Sequence, residues 1–323
     1  MKKNFVSKVS ILIFGMALFI SACGGAAGAE ERPPLKVGWS LWPGWYPLVI
    51  AQERDLFTKH NVAVEFVFYP TYSAALPEFA SGKVDGTLLV IGDVIPLVKN
   101  NNAKIVMVTD NSDGADVIMA GPEITSPADL RGKTIGVTLG TFGEVLAREM
   151  LTANNLSVGD VTLVQIGPEA VPSELGIDIE AGHTYEPFSS EAEQRGYHPI
   201  FSSSETPGLI ADVLVFKKEI LNERPEDVKA FIAAWFEALE WWQNNQAEGN
   251  ALIAAATEQN LEDISTEGLR LFNQADNLGA FQEGTDTRSI YYTTQQYVAF
   301  YQTIGVLSTL PDLNQLLDAS FLQ

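Results

Sequence analysis

The sequence predicts an α/β fold of two lobes, each a mostly parallel sheet flanked by helices, with a helical C-terminal region. Three observations predict it. The chain has 323 residues, enough for two units at roughly 150 residues each. Short apolar runs alternate with helical patterns in two successive cycles, the mark of strands joined by crossover helices. A late apolar strand and a long amphipathic helix follow, placed to return to the first lobe.

At the N-terminus, Lys2, Lys3 and Lys8 precede or border the apolar run 9–20, which ends in the small residues Ser21 and Ala22. This is the layout of an export signal. The run falls short of the roughly 20 residues that span a bilayer. Ile20-Ser21-Ala22-Cys23 resembles a bacterial lipoprotein processing box, which implies that Cys23 is lipidated and becomes the first mature residue. Residues 24–32 (GGAAGAEER) read as a flexible tether closed by Pro33-Pro34.

In the body, 36–40 reads as a strand, 46–59 as a helix with Pro47 in its first turn, and 62–68 as an alternating strand. A helix from Ser73 stops at Gly82. Strand 86–91, helix 93–100 and strand 104–109 close the first cycle. The second opens on the cap Ser126-Pro127-Ala128-Asp129, followed by strand 134–137, a turn at 138–142, helix 143–153 and strand 161–165. Loop 201–208 leads to strand 212–216. Over 225–243, Val228, Phe231, Ile232, Trp235, Phe236, Leu239 and Trp242 recur at steps of three and four, one buried stripe. The tail 290–317 reads as helical.

Charge and composition exclude whole classes. Twenty Lys+Arg against 41 Asp+Glu give a net charge of −21, hostile to a nucleic-acid backbone. A single cysteine excludes a disulfide framework and a cysteine-based metal site, and three histidines leave little for another.

The motifs point further. Val37-Gly38-Trp39 runs through Trp42 and Pro47 to Ile50-Ala51-Gln52-Glu53-Arg54-Asp55-Leu56-Phe57. Ser81-Gly82-Lys83-Val84-Asp85-Gly86 and Leu130-Arg131-Gly132-Lys133-Thr134-Ile135-Gly136-Val137 follow. Ala181-Gly182-His183-Thr184-Tyr185-Glu186-Pro187 and Thr206-Pro207-Gly208 complete the set. In this order the chain, over about 35–245, resembles the nitrate/taurine/sulfonate-type substrate-binding proteins of ABC importers, whose superfamily also holds pyrimidine-synthase-like proteins. The resemblance implies a type II periplasmic-binding-protein fold, with a ligand cleft at the hinge and closure that presents the loaded protein to a permease and its ATPase. The expected division is signal 1–22, lipidated tether 23–34, lobe one 35–117, lobe two 118–210, and a return to lobe one with C-terminal helices over 211–323. A monomer without cofactor, held to the membrane by its lipid only and binding no nucleic acid, is the expectation.

Ligands of open α/β sheets sit beyond the carboxyl ends of strands. Trp42, Trp45 and Tyr46 follow the first strand, flat surfaces for stacking a ligand or a cation, or else core plugs. Thr71, Tyr72 and Ser73 put hydroxyls at a helix start, where Ser73 also reads as an N-cap. Asp93 opens the next helix, where the macrodipole favours an acid even without a ligand. Thr138, Gly140, Thr141 and Phe142 form a turn whose free N–H groups suit an oxyanion or carbonyl, without the Lys of a phosphate loop. By the resemblance, His183, Tyr185 and Glu186 fall in a late cleft loop, where His183 also reads as structural. Asp212 opens the returning strand as a hinge cap or an amine partner.

These segments hold carboxylates and no Lys or Arg. An amine-bearing solute, a taurine-like aminosulfonate or a small nitrogen heterocycle is therefore expected ahead of nitrate or bicarbonate, since buried like charges are penalised. The rival classes are an enzyme and a sensor module. The superfamily's desulfinases need a nucleophilic cysteine, and Cys23 is committed to lipid. Its pyrimidine synthase is cytoplasmic, at odds with an export signal. No enzyme is expected.

Overall fold

The first strands are β1 (Leu35–Trp39), β2 (Val64–Phe68) and β3 (Gly86–Val90), joined through helices Pro47–Glu53, Leu56–Lys59 and Tyr72–Ala80. The computed structural model describes residues 32–98, 102–309 and 311–323. The export signal, Cys23 and most of the tether lie outside the described residues. The helix expected over 46–59 is interrupted at Asp55, which takes a left-handed φ of 55°, a conformation Asp tolerates better than most residues. The helix expected over 93–100 instead spans Ile91–Leu97.

β4 (Ala103–Ser112) then crosses to β5 (Val117–Ala120), followed by β6 (Thr134–Val137), β7 (Thr162–Gln165), β8 (Ala181–Thr184) and β9 (His198–Ser202). β10 (Ala211–Lys217) brings the chain back, and β11 (Leu269–Leu271) adds an edge. The strand order is β11-β4-β10-β3-β1-β2 in the first sheet and β7-β6-β8-β5-β9 in the second. Pairing directions make β1 to β4 point one way, with β10 and β11 reversed; β6 to β9 agree, with β5 reversed. Most strands of each sheet share one direction, but both sheets are mixed, with five of the nine neighbour pairs among the described residues antiparallel, because in each the strand entered by crossing over runs against its neighbours.

β5, β8, β9 and β11 escape the sequence reading. Residues 181–184 (AGHT), expected in a loop, form a fully buried central strand paired with both β5 and β6. Pairing on both sides, not side-chain pattern, makes it a strand. The tail is helical only over Ile290–Thr303 and Leu313–Leu316.

Helix Pro225–Asn244 lays its stripe on the first sheet's side of the core. Val228, Phe231, Ile232, Trp235, Leu239 and Trp242 are buried, with Phe236 half-buried at the margin. Phe231 packs on Phe57, Phe66 and Phe216 with ring centroids 5.1, 6.4 and 6.1 Å away. Where the two passages between the sheets meet, the hydroxyls of Ser112 and Ser203 hydrogen-bond at 2.8 Å. Gly114 N–H donates to Ser203 Oγ at 2.7 Å. Among the described residues no helix is long and apolar enough to cross a membrane.

Candidate functional site

A narrow cavity of about 20 Å³ lies where the carboxyl ends of β1, β3 and β8 meet the start of β10. That is room for about one water, so the walls must part to admit a solute. Its lining is Ser40, Leu41, Trp42, Trp45, Tyr72, Val90, Asp116, Phe142, Tyr185 and Asp212.

The walls come from both sheets. Trp42 meets Tyr185 edge-on at 5.6 Å, and Tyr72 meets Phe142 edge-on at 5.5 Å. The 3₁₀ turn Pro43–Trp45 turns Trp45 inward toward Tyr72, 6.2 Å away. The next residue, Tyr46, points the other way. Its ring lies against Trp242 and its hydroxyl accepts from Gln259 Nε2 at 2.7 Å, so it belongs to the core.

Four buried aspartates stand in or behind these walls. Trp42 Nε1 and Thr109 Oγ1 donate to Asp110 at 2.9 and 2.8 Å, which fixes the Trp42 ring. Gly44 permits this approach, because a Cβ there would collide with the Asp110 carboxyl. Tyr72 OH donates to Asp93 Oδ2 at 2.8 Å and accepts from Val90 N–H at 3.0 Å. His183 Nε2 and Asp116 Oδ1 lie 2.8 Å apart, both fully buried. Asp212 faces Asp110 across the β10–β4 register, and its Oδ2 has no hydrogen-bond partner.

Burial pushes Asp93 and Asp110 up to about 7, against the hydrogen bonds they receive. Asp212 is raised well above the ordinary carboxylate range, first by burial and then by the charges of Asp110, Asp116 and Asp93. Burial likewise raises the Tyr72 and Tyr185 hydroxyls. No lysine or arginine lines the cavity.

Of the expected residues, Trp42, Trp45, Tyr72, Phe142, Tyr185 and Asp212 meet here. Ser73, Thr138, Thr141 and His183 line an adjoining space behind the Tyr72–Phe142 pair. Asp93 sits behind Tyr72. Thr71 stands at the N-cap of helix Tyr72–Ala80 without a side-chain cap bond, so Ser73 is not that cap. Gly140 turns its carbonyl to Tyr301 OH at 3.0 Å, away from the cavity. Glu186 accepts from Ser190 and faces a separate groove. Asp110 and Asp116 were not anticipated. Their signal was the acid-rich stretch 110–116 (DNSDGAD) directly after an apolar strand. Among the described residues no group of three or more His, Cys, Asp or Glu is arranged to hold a metal ion.

The fold is that of the periplasmic binding proteins. The aliphatic sulphonate binding protein SsuA of Escherichia coli superposes with a TM-score of 0.72 over 88% of this chain and 92% of its own, at 15% identity. A binding protein of Brucella abortus is 26% identical over 245 residues, 73% of this chain and 76% of that protein. The formylaminopyrimidine-binding protein of Halalkalibacterium halodurans is 24% identical over 279 residues, 79% and 82% respectively. The family model described as NMT1/THI5 like matches residues 42–249, which contain all the aromatic and acidic residues of the cavity wall. With its two mixed sheets, its double crossing and this match over more than half its length, the chain belongs to the NMT1/THI5-like family.

Proposed function

We propose that this chain is the extracytoplasmic solute-binding lipoprotein of an ABC importer, which captures a small nitrogen-bearing organic solute and hands it unaltered to the permease. The carrying observation is the small cavity between the two sheets, walled by five aromatic rings and two aspartates. Its chemistry favours a nitrogen heterocycle or an amine over nitrate or bicarbonate, because a bare anion would face Asp116 and Asp212 with no cation to offset them. The name of the Halalkalibacterium relative, a pyrimidine binder, agrees with that preference.

In this reading, residues 35–117 and 211–323 build one lobe, 118–210 the other, and the five aromatics of the cavity wall with Asp212 contact the solute. Cys23 carries the lipid. An enzyme of the same superfamily is the second reading; the curated relatives named for binding weigh against it.

A thermal-shift screen against aminopyrimidines, taurine, sulfonates, nitrate and bicarbonate tests the proposal, since a solute that binds only the folded chain raises its melting temperature. A shift with recovery of unchanged solute is expected. A converted product, or no shift with any small solute, would overturn it.

A further inference from the structure

Three of the four buried aspartates receive at least one hydrogen bond from the protein, although Asp93 Oδ1, behind Tyr72 and off the cavity wall, has no partner. Asp93 receives Tyr72 OH, Asp110 receives the Trp42 indole and Thr109, and Asp116 lies on His183. Asp212 differs. It is 2% exposed, it lines the cavity, and its Oδ2 has no donor. A buried acceptor left unsatisfied is costly, and burial beside other carboxyls disfavours the charged form of Asp212 until a counter-charge stands next to it. The Trp45 indole N–H, beside it on the wall, is close enough to act on Asp212 but falls outside hydrogen-bond geometry. Nothing along the cavity supplies a positive charge, while Trp42, Trp45 and Tyr185 present rings suited to holding a cation.

Resting on the solute-carrier reading above, we infer that the solute bears a positively charged nitrogen with at least one N–H, donated to Asp212 Oδ2 between the rings of Trp42, Trp45 and Tyr185. This class takes in protonated amines, amidines and aminopyridinium-like heterocycles. It leaves out sulfonates and nitrate, for want of a cationic wall. It also leaves out quaternary ammonium ions, which carry no N–H for Oδ2. A metal ion is not the fit: the carboxyls are dispersed around an aromatic space and do not converge on a point.

The test uses the full-length chain and titration calorimetry with matched probes. Benzamidine and 4-aminopyridinium are the cations, benzamide is the neutral isostere of benzamidine, and benzenesulfonate and tetramethylammonium complete the set. The cations are expected to bind about tenfold or more tighter than benzamide, with benzenesulfonate and tetramethylammonium not measurable. Asp212→Asn should weaken benzamidine about thirtyfold or more, with a melting temperature no lower than that of the wild type, because the variant removes a carboxyl crowded by Asp110 and Asp116. Equal binding of benzamide, or binding of benzenesulfonate instead, would overturn the charge assignment and leave the carrier reading standing. Tetramethylammonium bound as well as benzamidine would overturn the N–H contact. If neither cation binds while nitrate or an alkanesulfonate without an amine raises the melting temperature, the inference fails alone; if no solute of any class does so, the carrier reading fails with it.

Discussion

Gly143 shows how tightly single atoms set the site. A Cβ at this position would stand 2.5 Å from His183 Nδ1, so Gly143→Ala must displace the ring that holds Asp116. A loss of about 1–3 kcal/mol is expected in urea unfolding, the usual cost of overpacking. The aspartates set a pH dependence at the same scale. Asp93 and Asp110 stand at about 7 in the fold, against about 3.9 in an unfolded chain. Between those values the folded chain binds more protons than the unfolded one. The contribution of these two groups to stability is therefore full below about pH 4 and is lost as pH rises through 7. The groups facing this pair, Tyr72, Trp42, Asp116 and Asp212, carry no positive charge to reverse the sign. The melting temperature of the unliganded chain should fall from pH 5 to pH 8, and Asp110→Asn should flatten the fall. A rise over that interval would contradict it. At this scale the site was half legible. Trp42, Trp45, Tyr72, Phe142 and Asp212 follow or open recognisable strands, whereas Tyr185 is reached only through the family resemblance. Tyr46 takes the core alternative, because one 3₁₀ turn sends adjacent side chains to opposite sides.

Helix Pro225–Asn244 was readable because its stripe follows the helical period and its partners are aromatic. Phe231 is fully buried against three phenylalanine rings. Phe231→Ala should cost about 3–5 kcal/mol in equilibrium unfolding, far from the cavity and without change in solute affinity at temperatures where the variant is folded. Other elements hid for physical reasons. β4 continues through the polar residues 110–112, because β10 and β11 pair with it there. A reading by apolar pattern stops at Thr109 and so leaves Asp110 out of the strand. β8 is likewise held by its neighbours, and its four residues carry no periodic signal.

At the scale of the molecule, both sheets contribute walls to one cavity, and several contacts bind the halves around it. Tyr301, on helix Ile290–Thr303, donates to Gly140 O at 3.0 Å, in the turn that precedes Phe142. Tyr72 N–H reaches Glu169 at 3.3 Å. Tyr301→Phe deletes a single hydroxyl, worth about 0.5–1.5 kcal/mol. Solute affinity should drop a few-fold in calorimetry, with the near-ultraviolet dichroism of the fold unchanged. Affinity equal to that of the wild type would show that this bond plays no part in retention.

The buried serine pair at the two passages carries a mechanical consequence. Ser203 Oγ engages both Ser112 and the Gly114 amide, so neither linker bends without dragging the other. The outgoing and returning passages are thus tied to each other at one buried point, and Ser203→Ala would leave the Ser112 hydroxyl and the Gly114 amide to find new partners there.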